Sequence, residues 1–302
     1  MHTFNFSERV VTTKILSSSH VNFLFGAGVN GKTIPQMKEM SKTKALLQKA
    51  LGREIINFEN DLNEIKSQKI KKKISVTFIK ELTEAIGNVG RSLKDSNDIR
   101  DIEKLFLSVN NLIIQTENRN ITMKQVNIYT TNYDSIVDDC LDRTGLLFNV
   151  ISSSNYSNHD KFFEMIGYDY RKKKYVPTYL VSKIHGDLRD PILPYVEKYD
   201  ETLQSKRFEI LFNMKGQLSR PNSVLFVIGY SGKDKHINSL LHDCVSFGLT
   251  VYWFRFDNDE PLPQDLINQM IVIDQKDNSN KQNTTISCKE LIEGICQEQL
   301  EE

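Results

Sequence analysis

Four short clusters in this 302-residue chain hold the residue types that can do chemistry. Gly26-Ala27-Gly28 leaves only small side chains between the backbone and whatever approaches it, the arrangement by which a turn admits a phosphate. Thr131-Asn132-Tyr133-Asp134 sets an amide and a carboxylate two residues apart. Asn132 can hold a water or a sugar hydroxyl. Asp134 can accept hydrogen bonds from a ligand or, equally, cap the helix that follows it. His185-Gly186-Asp187 offers an imidazole whose ordinary pKa suits a general base near neutral pH. In Gly229-Tyr230-Ser231-Gly232-Lys233-Asp234, Ser231 and Asp234 can bind ribose or phosphate, or simply open a helix. The other histidines, His2, His20, His159, His236 and His242, stand in no comparable setting.

Each cluster follows an apolar run of strand length: Val21–Phe25, Val126–Thr130, Tyr179–Ile184 and Ser223–Ile228. Leu146–Ile151 and Leu249–Phe256 read as two further strands. In open parallel α/β sheets the ligand crevice lies beyond the carboxyl ends of the strands, so four such clusters imply one shared site. Helices are expected from Asp134 to a stop at Gly145 and from Asp234 to Phe247. Between the first and second strands, Met37 to Leu51, Ile65 to Ile86 and Ile99 to Ile114 carry helical spacing. That stretch is too long for a simple crossover and predicts a helical insertion over about residues 36–120. Ser152 to Lys174 is polar and ends in Arg171-Lys172-Lys173-Lys174, a solvated loop or ribbon edge. One catalytic domain is expected over residues 1–275, followed over 276–302 by a polar linker and an amphipathic C-terminal helix.

Composition narrows the class. Basic and acidic residues balance at 39 each, which gives no support to a nucleic-acid binder. Lys66, Lys69, Lys71, Lys72 and Lys73 form a basic cluster without interleaved aromatics, the pattern of a solvated helix face. No apolar run reaches membrane-span length, and Met1–Leu16 lacks the apolar core of a signal peptide, so the cytoplasm is the expected location. Cys140, Cys244, Cys288 and Cys296 are scattered without a C-x-x-C, which predicts neither a zinc ribbon nor disulfides. No metal is expected.

Gly26 to Thr33 also satisfies the phosphate-loop pattern G-x-x-x-x-G-K-[ST]. Pro35 argues against that reading. A phosphate loop opens a helix at its Lys-Thr, whereas proline disfavours helical geometry at Ile34 and fits only a first helical turn. Tyr252–Asp257, the nearest candidate for the accompanying acidic strand, is broken by Arg255. A nucleoside triphosphatase is therefore disfavoured.

GAG, TTNYD, HGD and GYSGKD, in this order and each on a strand end, resemble the sirtuin family. More narrowly they resemble the bacterial sirtuin-like NAD-hydrolysing effectors of antiphage defence. The resemblance implies a Rossmann-like six-stranded parallel sheet flanked by helices, with NAD+ as substrate. It implies that Gly26, Ala27 and Gly28 face the diphosphate and that Asn132 positions the nicotinamide ribose or the attacking water. Asp134 would contact the nicotinamide side, His185 would be catalytic, and Gly229, Tyr230 and Ser231 would line the adenosine and phosphate end. Ile34-Pro35-Gln36-Met37-Lys38 falls on the mobile cofactor loop of sirtuins, where the family shows I-P-D-F-R, and Lys32 then becomes an optional lid residue. Asn30, a cofactor-binding candidate, stands where serine is usual. The four-cysteine zinc module of the deacetylating members is missing, which argues against protein deacylation. The expected activity is NAD+ glycohydrolysis to nicotinamide and ADP-ribose in a gated defence effector, with a homo-oligomer or a sensor protein as partner. An NAD-dependent protein deacylase and a non-catalytic ADP-ribose-binding scaffold are the alternatives.

Overall fold

Every residue of His20–Phe25 and Ser223–Ile228 is buried, so both faces of these runs need a covering layer, which a parallel α/β sheet supplies. The computed structural model describes residues 16–30, 40–56, 58–89, 97–116, 119–152, 164–192, 208–256, 262–274 and 284–301. In chain order these form strand β1 (His20–Phe25) and helices α1 (Ser41–Leu51), α2 (Phe58–Glu64), α3 (Gln68–Val89) and α4 (Asn97–Gln115). Strand β2 (Gln125–Thr130), helix α5 (Ile136–Arg143) and strands β3 (Leu147–Ile151), β4 (Gly167–Asp169), β5 (Lys174–Val176) and β6 (Thr178–Lys183) follow. The chain continues through α6 (Phe208–Leu218), β7 (Ser223–Ile228), α7 (Lys235–Ser246), β8 (Thr250–Phe254), β9 (Ile271–Ile273) and α8 (Thr284–Glu301).

Seven strands form one parallel sheet in the order β3-β6-β2-β1-β7-β8-β9. The fold is Rossmann-like α/β, with one strand more than the six read from the sequence. The addition, β9, is three residues long, too short to show a period of its own. The polar stretch before β6 folds in part into the antiparallel β4–β5 ribbon, where Tyr168 and Tyr175 meet with ring centroids 5.1 Å apart.

Alternation along the strands divides the core into two layers. Val21, Phe23 and Phe25 of β1, with Phe226 and Phe254, face α4, α5 and α8. Leu24, Leu225, Val227 and Trp253 face α6 and α7. Helix α4 meets the sheet through Ile102, Leu105, Phe106, Val109, Leu112 and Ile113, a three-and-four spacing on one face. Each large side chain so buried contributes about 1.5–3 kcal/mol. Helix α8 brings Cys288 and Ile292 into the same layer, and Ser108 Oγ donates to Glu293 Oε1 at 2.9 Å. Helices α1, α2 and α3 share a separate small cluster of Leu47, Leu62, Ile65 and Ile74. The first turn of α1, whose leading residue Met40 provides no side-chain cap, is served from α3: Glu81 accepts from the Lys42 and Thr43 N–H groups, both at 2.7 Å.

One polar seam crosses the sheet near the strands' amino ends. Asn127 Nδ2 donates to Asn22 Oδ1 at 2.8 Å, and Asn22 Nδ2 reaches Val224 O at 3.1 Å. Gln125 Nε2 donates to Asn127 Oδ1 at 2.7 Å, and Gln125 Oε1 accepts from the Met165 N–H at 2.6 Å. Among the described residues, no helix is long and apolar enough to cross a membrane.

Candidate active site

From β1 the chain builds β2, β6 and β3 on one side, while β7, β8 and β9 lie on the other. The strand order reverses between β1 and β7, and ligands of such sheets bind at that reversal. The four clusters follow β6, β2, β1 and β7, which are consecutive neighbours across the sheet. Topology therefore brings the four clusters to one edge of the sheet.

The glycines at the reversal are required first by one another. The Gly26 N–H donates to Ile228 O at 3.0 Å, and the Gly28 N–H to Gly229 O at 2.9 Å. A Cβ on Gly26 would lie 2.4 Å from Gly229 O, one on Gly28 2.8 Å from Gly229 Cα, and one on Gly229 2.2 Å from Val29 N. Only hydrogen fits at all three, so the turns after β1 and β7 interlock through backbone alone. Ala27, at the start of a 3₁₀ turn over Ala27–Asn30, remains exposed.

Asn132 is buried, and its Nδ2 donates to Gly26 O at 3.1 Å, which ties the β2 end to the glycine turn. Asn30 Nδ2 donates to Asp134 Oδ2 at 2.7 Å, while Asp134 Oδ1 accepts from the Ile136 N–H at 3.0 Å. Asp134 thus holds the start of α5 and orients Asn30 at once. Burial pushes its carboxyl pKa up, against the Ile136 N–H, Lys183 and Asn30, which stabilise the anion. Asn30 Oδ1 is buried and has no hydrogen-bond partner among the described residues. An acceptor in that position costs free energy until a donor meets it, as a substrate hydroxyl or amide would.

Two further residues stand beside these clusters with no motif to announce them. Lys183, the last residue of β6, is buried; its Nζ donates to Asp134 O and pairs with Asp138 Oδ2 at 3.0 Å. Burial raises the Asp138 pKa, against the pull of Lys183. The signal in the sequence is a lysine at the end of the run Thr178–Lys183, two residues before His185. Removing one member of a buried pair leaves the other uncompensated, at about 3–5 kcal/mol. Lys183→Met is therefore expected to lower the melting temperature by roughly 5–10 °C. Adding Asp138→Leu should recover part of that loss in a double-mutant cycle of thermal unfolding. Equal melting temperatures for wild type and Lys183→Met would show that the pair does not hold the site.

His236 is the second such residue. The sequence gives it no setting, yet its ring centroid lies 5.9 Å from that of His185. Asp234 begins α7, and its Oδ1 stands 3.7 Å from His185 Nε2, an ion pair whenever the imidazole is protonated. The turns after β6 and β7 therefore meet across the ends of the two strands between them. His185 itself is buried; the Ile192 N–H donates to its carbonyl at 2.8 Å, and Gly186 turns the chain with φ 77°. Asp187 staples that turn by accepting from Ser152 Oγ at 3.0 Å and the Arg189 N–H at 2.9 Å.

Tyr230 points into the protein: it is buried, its hydroxyl donates to Asn238 Oδ1 at 3.1 Å, and its ring packs 5.7 Å from Trp253. Ser231 is exposed at the rim. Pro35 and the rest of the expected cofactor loop lie outside the described residues. The four cysteines are spread over three helices: Cys140 is buried in α5, Cys244 in α7 and Cys288 in α8, while Cys296, also on α8, is partly exposed. Burial pushes the Cys140 thiol up to about 12 and the Cys296 thiol up to about 11, which disfavours the thiolate form that a metal would need.

A parallel, Rossmann-like sheet with a glycine-lined reversal point defines an α/β protein of the class that binds ligands at its strand ends. Residues 126–274 match the family model described as a SIR2-like domain, so this part of the chain is sirtuin-like. The matched segment runs from β2 to the end of β9, and the Gly26–Gly28 turn that precedes it is locked to it through Gly229. Several solved Sir2 structures are similar to this chain. One, of a Sir2 homologue–NAD complex, aligns over 99% of this chain and 97% of its own at 12% identity, with a TM-score of 0.47. Another, on the mechanism and regulation of Sir2 enzymes, covers 98% of both chains at 13% identity and 0.44. Sir2Tm bound to a propionylated peptide covers 95% of this chain and 98% of its own at 14% and 0.45. No curated protein matches the sequence.

Proposed function

We propose that the chain is an NAD+ glycohydrolase that cleaves NAD+ to nicotinamide and ADP-ribose. The observation that supports it best is the meeting of three parts over adjacent strand ends. These are the interlocked glycine turns, the Asn30 carbonyl awaiting a donor, and His185 and Asn132, each two residues past the paired ends of the adjacent strands β6 and β2. The SIR2-like domain supplies the context of an NAD-utilising enzyme.

In this reading the diphosphate lies against the Gly26–Gly28 turn, where nothing larger than hydrogen intervenes. Asn30 Oδ1 accepts from the carboxamide or a ribose hydroxyl. The N-glycosidic bond breaks with its electron pair going to the nicotinamide ring nitrogen, so the leaving group departs neutral. A water held by Asn132 forms the new bond to the anomeric carbon, and His185 takes its proton. The resulting imidazolium would be stabilised by Asp234, whose carboxylate lies 3.7 Å away.

Incubating purified protein with NAD+, with and without an acyl-lysine peptide, and identifying the products tests the assignment. Nicotinamide and ADP-ribose are expected without peptide. Turnover that requires peptide and yields an acylated ADP-ribose would make the chain a deacylase, and binding without turnover in any assembly state a scaffold. An unrestrained NAD+ hydrolase would exhaust the cell that makes it. We therefore place the activity in a gated effector of antiphage defence, switched on by self-association or by a partner sensor. Activity followed across size-exclusion fractions checks this, and full turnover in a dilute monomer would overturn the gating.

A further inference from the structure

We propose that His185, Asp234 and His236 form a binding site for a zinc-class divalent cation, and that its occupancy silences the enzyme. One ligand atom from each of the three lies within 4.8 Å of the others, and His185 Nε2 and Asp234 Oδ1 are already 3.7 Å apart. Tetrahedral zinc with bonds of about 2.0–2.2 Å holds neighbouring ligand atoms about 3.3 Å apart. Rotamer adjustments of the two partly exposed side chains, Asp234 and His236, close that difference.

The ligand chemistry selects the ion. Two imidazoles and one carboxylate suit zinc and its transition-metal neighbours, and do not suit calcium or magnesium, which take oxygen shells. Three protein ligands leave the fourth position to water, and the partial exposure of Asp234 and His236 gives the ion a way in. The supports are firm. Asn238 accepts from the Tyr230 hydroxyl at 3.1 Å and donates through Nδ2 to Gly232 O at 2.6 Å, which fixes the start of α7. The partial positive charge at the N-terminus of α7 opposes a cation, but the full charge of the Asp234 carboxylate exceeds it. A metal on His185 Nε2 occupies the nitrogen that would take a proton from water. The silencing rests on the NAD+ reading above; the metal site does not.

The test uses the full chain stripped of metal, with Zn2+ titrated against a competing chelator and Co2+ as a visible spectroscopic stand-in. Wild type is expected to bind one equivalent at this site, with the intense visible absorption of four-coordinate Co2+. His236→Ala, His236→Gln and Asp234→Asn should each weaken Zn2+ at least about tenfold, and the two His236 variants should lose the cobalt band. Cys296→Ser should bind as wild type does. Melting temperatures show which variants remain folded, and two replacements at His236 keep the test decisive if one fails. Zn2+ should stop NAD+ cleavage by wild type, reversibly with EDTA, while His236→Ala keeps turning over in the same Zn2+. Undiminished Zn2+ affinity in both His236 variants, or cleavage by zinc-loaded wild type, overturns the proposal. Zinc binding lost in the His236 variants while no form consumes NAD+ leaves the site standing and removes the NAD+ reading instead.

Discussion

Replacing His185 with alanine is expected to lower NAD+ cleavage by at least about 100-fold while nucleotide binding changes little, because general-base catalysis contributes about 10²–10⁴-fold. The imidazole is anchored from behind, through the Ile192 N–H on its carbonyl and the Gly186 turn, so the backbone stays in place when the ring is removed. The loss should therefore fall on kcat, with KM close to that of wild type. Asn132→Ala should be comparably inactive for a different reason. It removes the donor to Gly26 O at 3.1 Å, so the glycine turn loosens and KM rises as kcat falls. Steady-state kinetics of both variants, with nucleotide binding followed by thermal shift, separates the two. A His185→Ala enzyme that keeps a tenth of wild-type turnover would remove His185 from the chemistry.

Gly229→Ala is the largest structural effect expected. The added methyl would sit 2.2 Å from Val29 N and 2.5 Å from Gly28 C, both backbone atoms, at a residue with φ 64°. No side chain can swing aside, so the two turns must separate. Overpacking of this kind and the left-handed strain together cost about 3 kcal/mol or more. A melting temperature lower by roughly 5–10 °C is expected, together with loss of NAD+ binding. Gly52→Ala is the matched control. Gly52 has φ 69° at the end of α1, but nothing lies within 4 Å of its added methyl. It should show only the strain, about 1–2 kcal/mol. Similar losses in the two variants would mean that the interlocked turns add nothing beyond backbone geometry.

These two sites mark the limits of what the amino-acid sequence discloses. The strands were legible because runs such as VNFLF and SVLFVI are buried on both faces, which leaves a mostly apolar signal interrupted in the first run only by Asn22. β9 was not, since three residues carry no period. The strand-end clusters were legible as chemistry, but their contacts depend on a strand order that no local pattern encodes. Gly26 meets Gly229 only because β7 pairs with β1. His236 looked idle because its neighbour His185 follows β6, which lies three places across the sheet from β7. Lys183 was hidden for another reason: a buried cation is read from burial, which composition alone does not reveal.

The Asn22–Asn127 contact has a consequence for how the chain finds its native pairing. β1 and β2 lie far apart in sequence, with four helices between them, so their alignment cannot be dictated by a turn. Apolar strands buried on both faces tolerate sliding, because one valine or phenylalanine fills the place of another. The two amides remove that tolerance. A shift of one residue sends Asn127 to the opposite face, and a shift of two leaves both amides buried without each other, a penalty of about 1–3 kcal/mol per unpaired group. Only the pairing of Asn22 with Asn127 satisfies both, and that pairing also sets Phe25 opposite Thr130. Asn132, two residues beyond Thr130, is thereby delivered to Gly26. A hydrogen bond at the amino edge of the sheet thus acts as a ruler for the carboxyl edge, where the proposed site lies, five residues away.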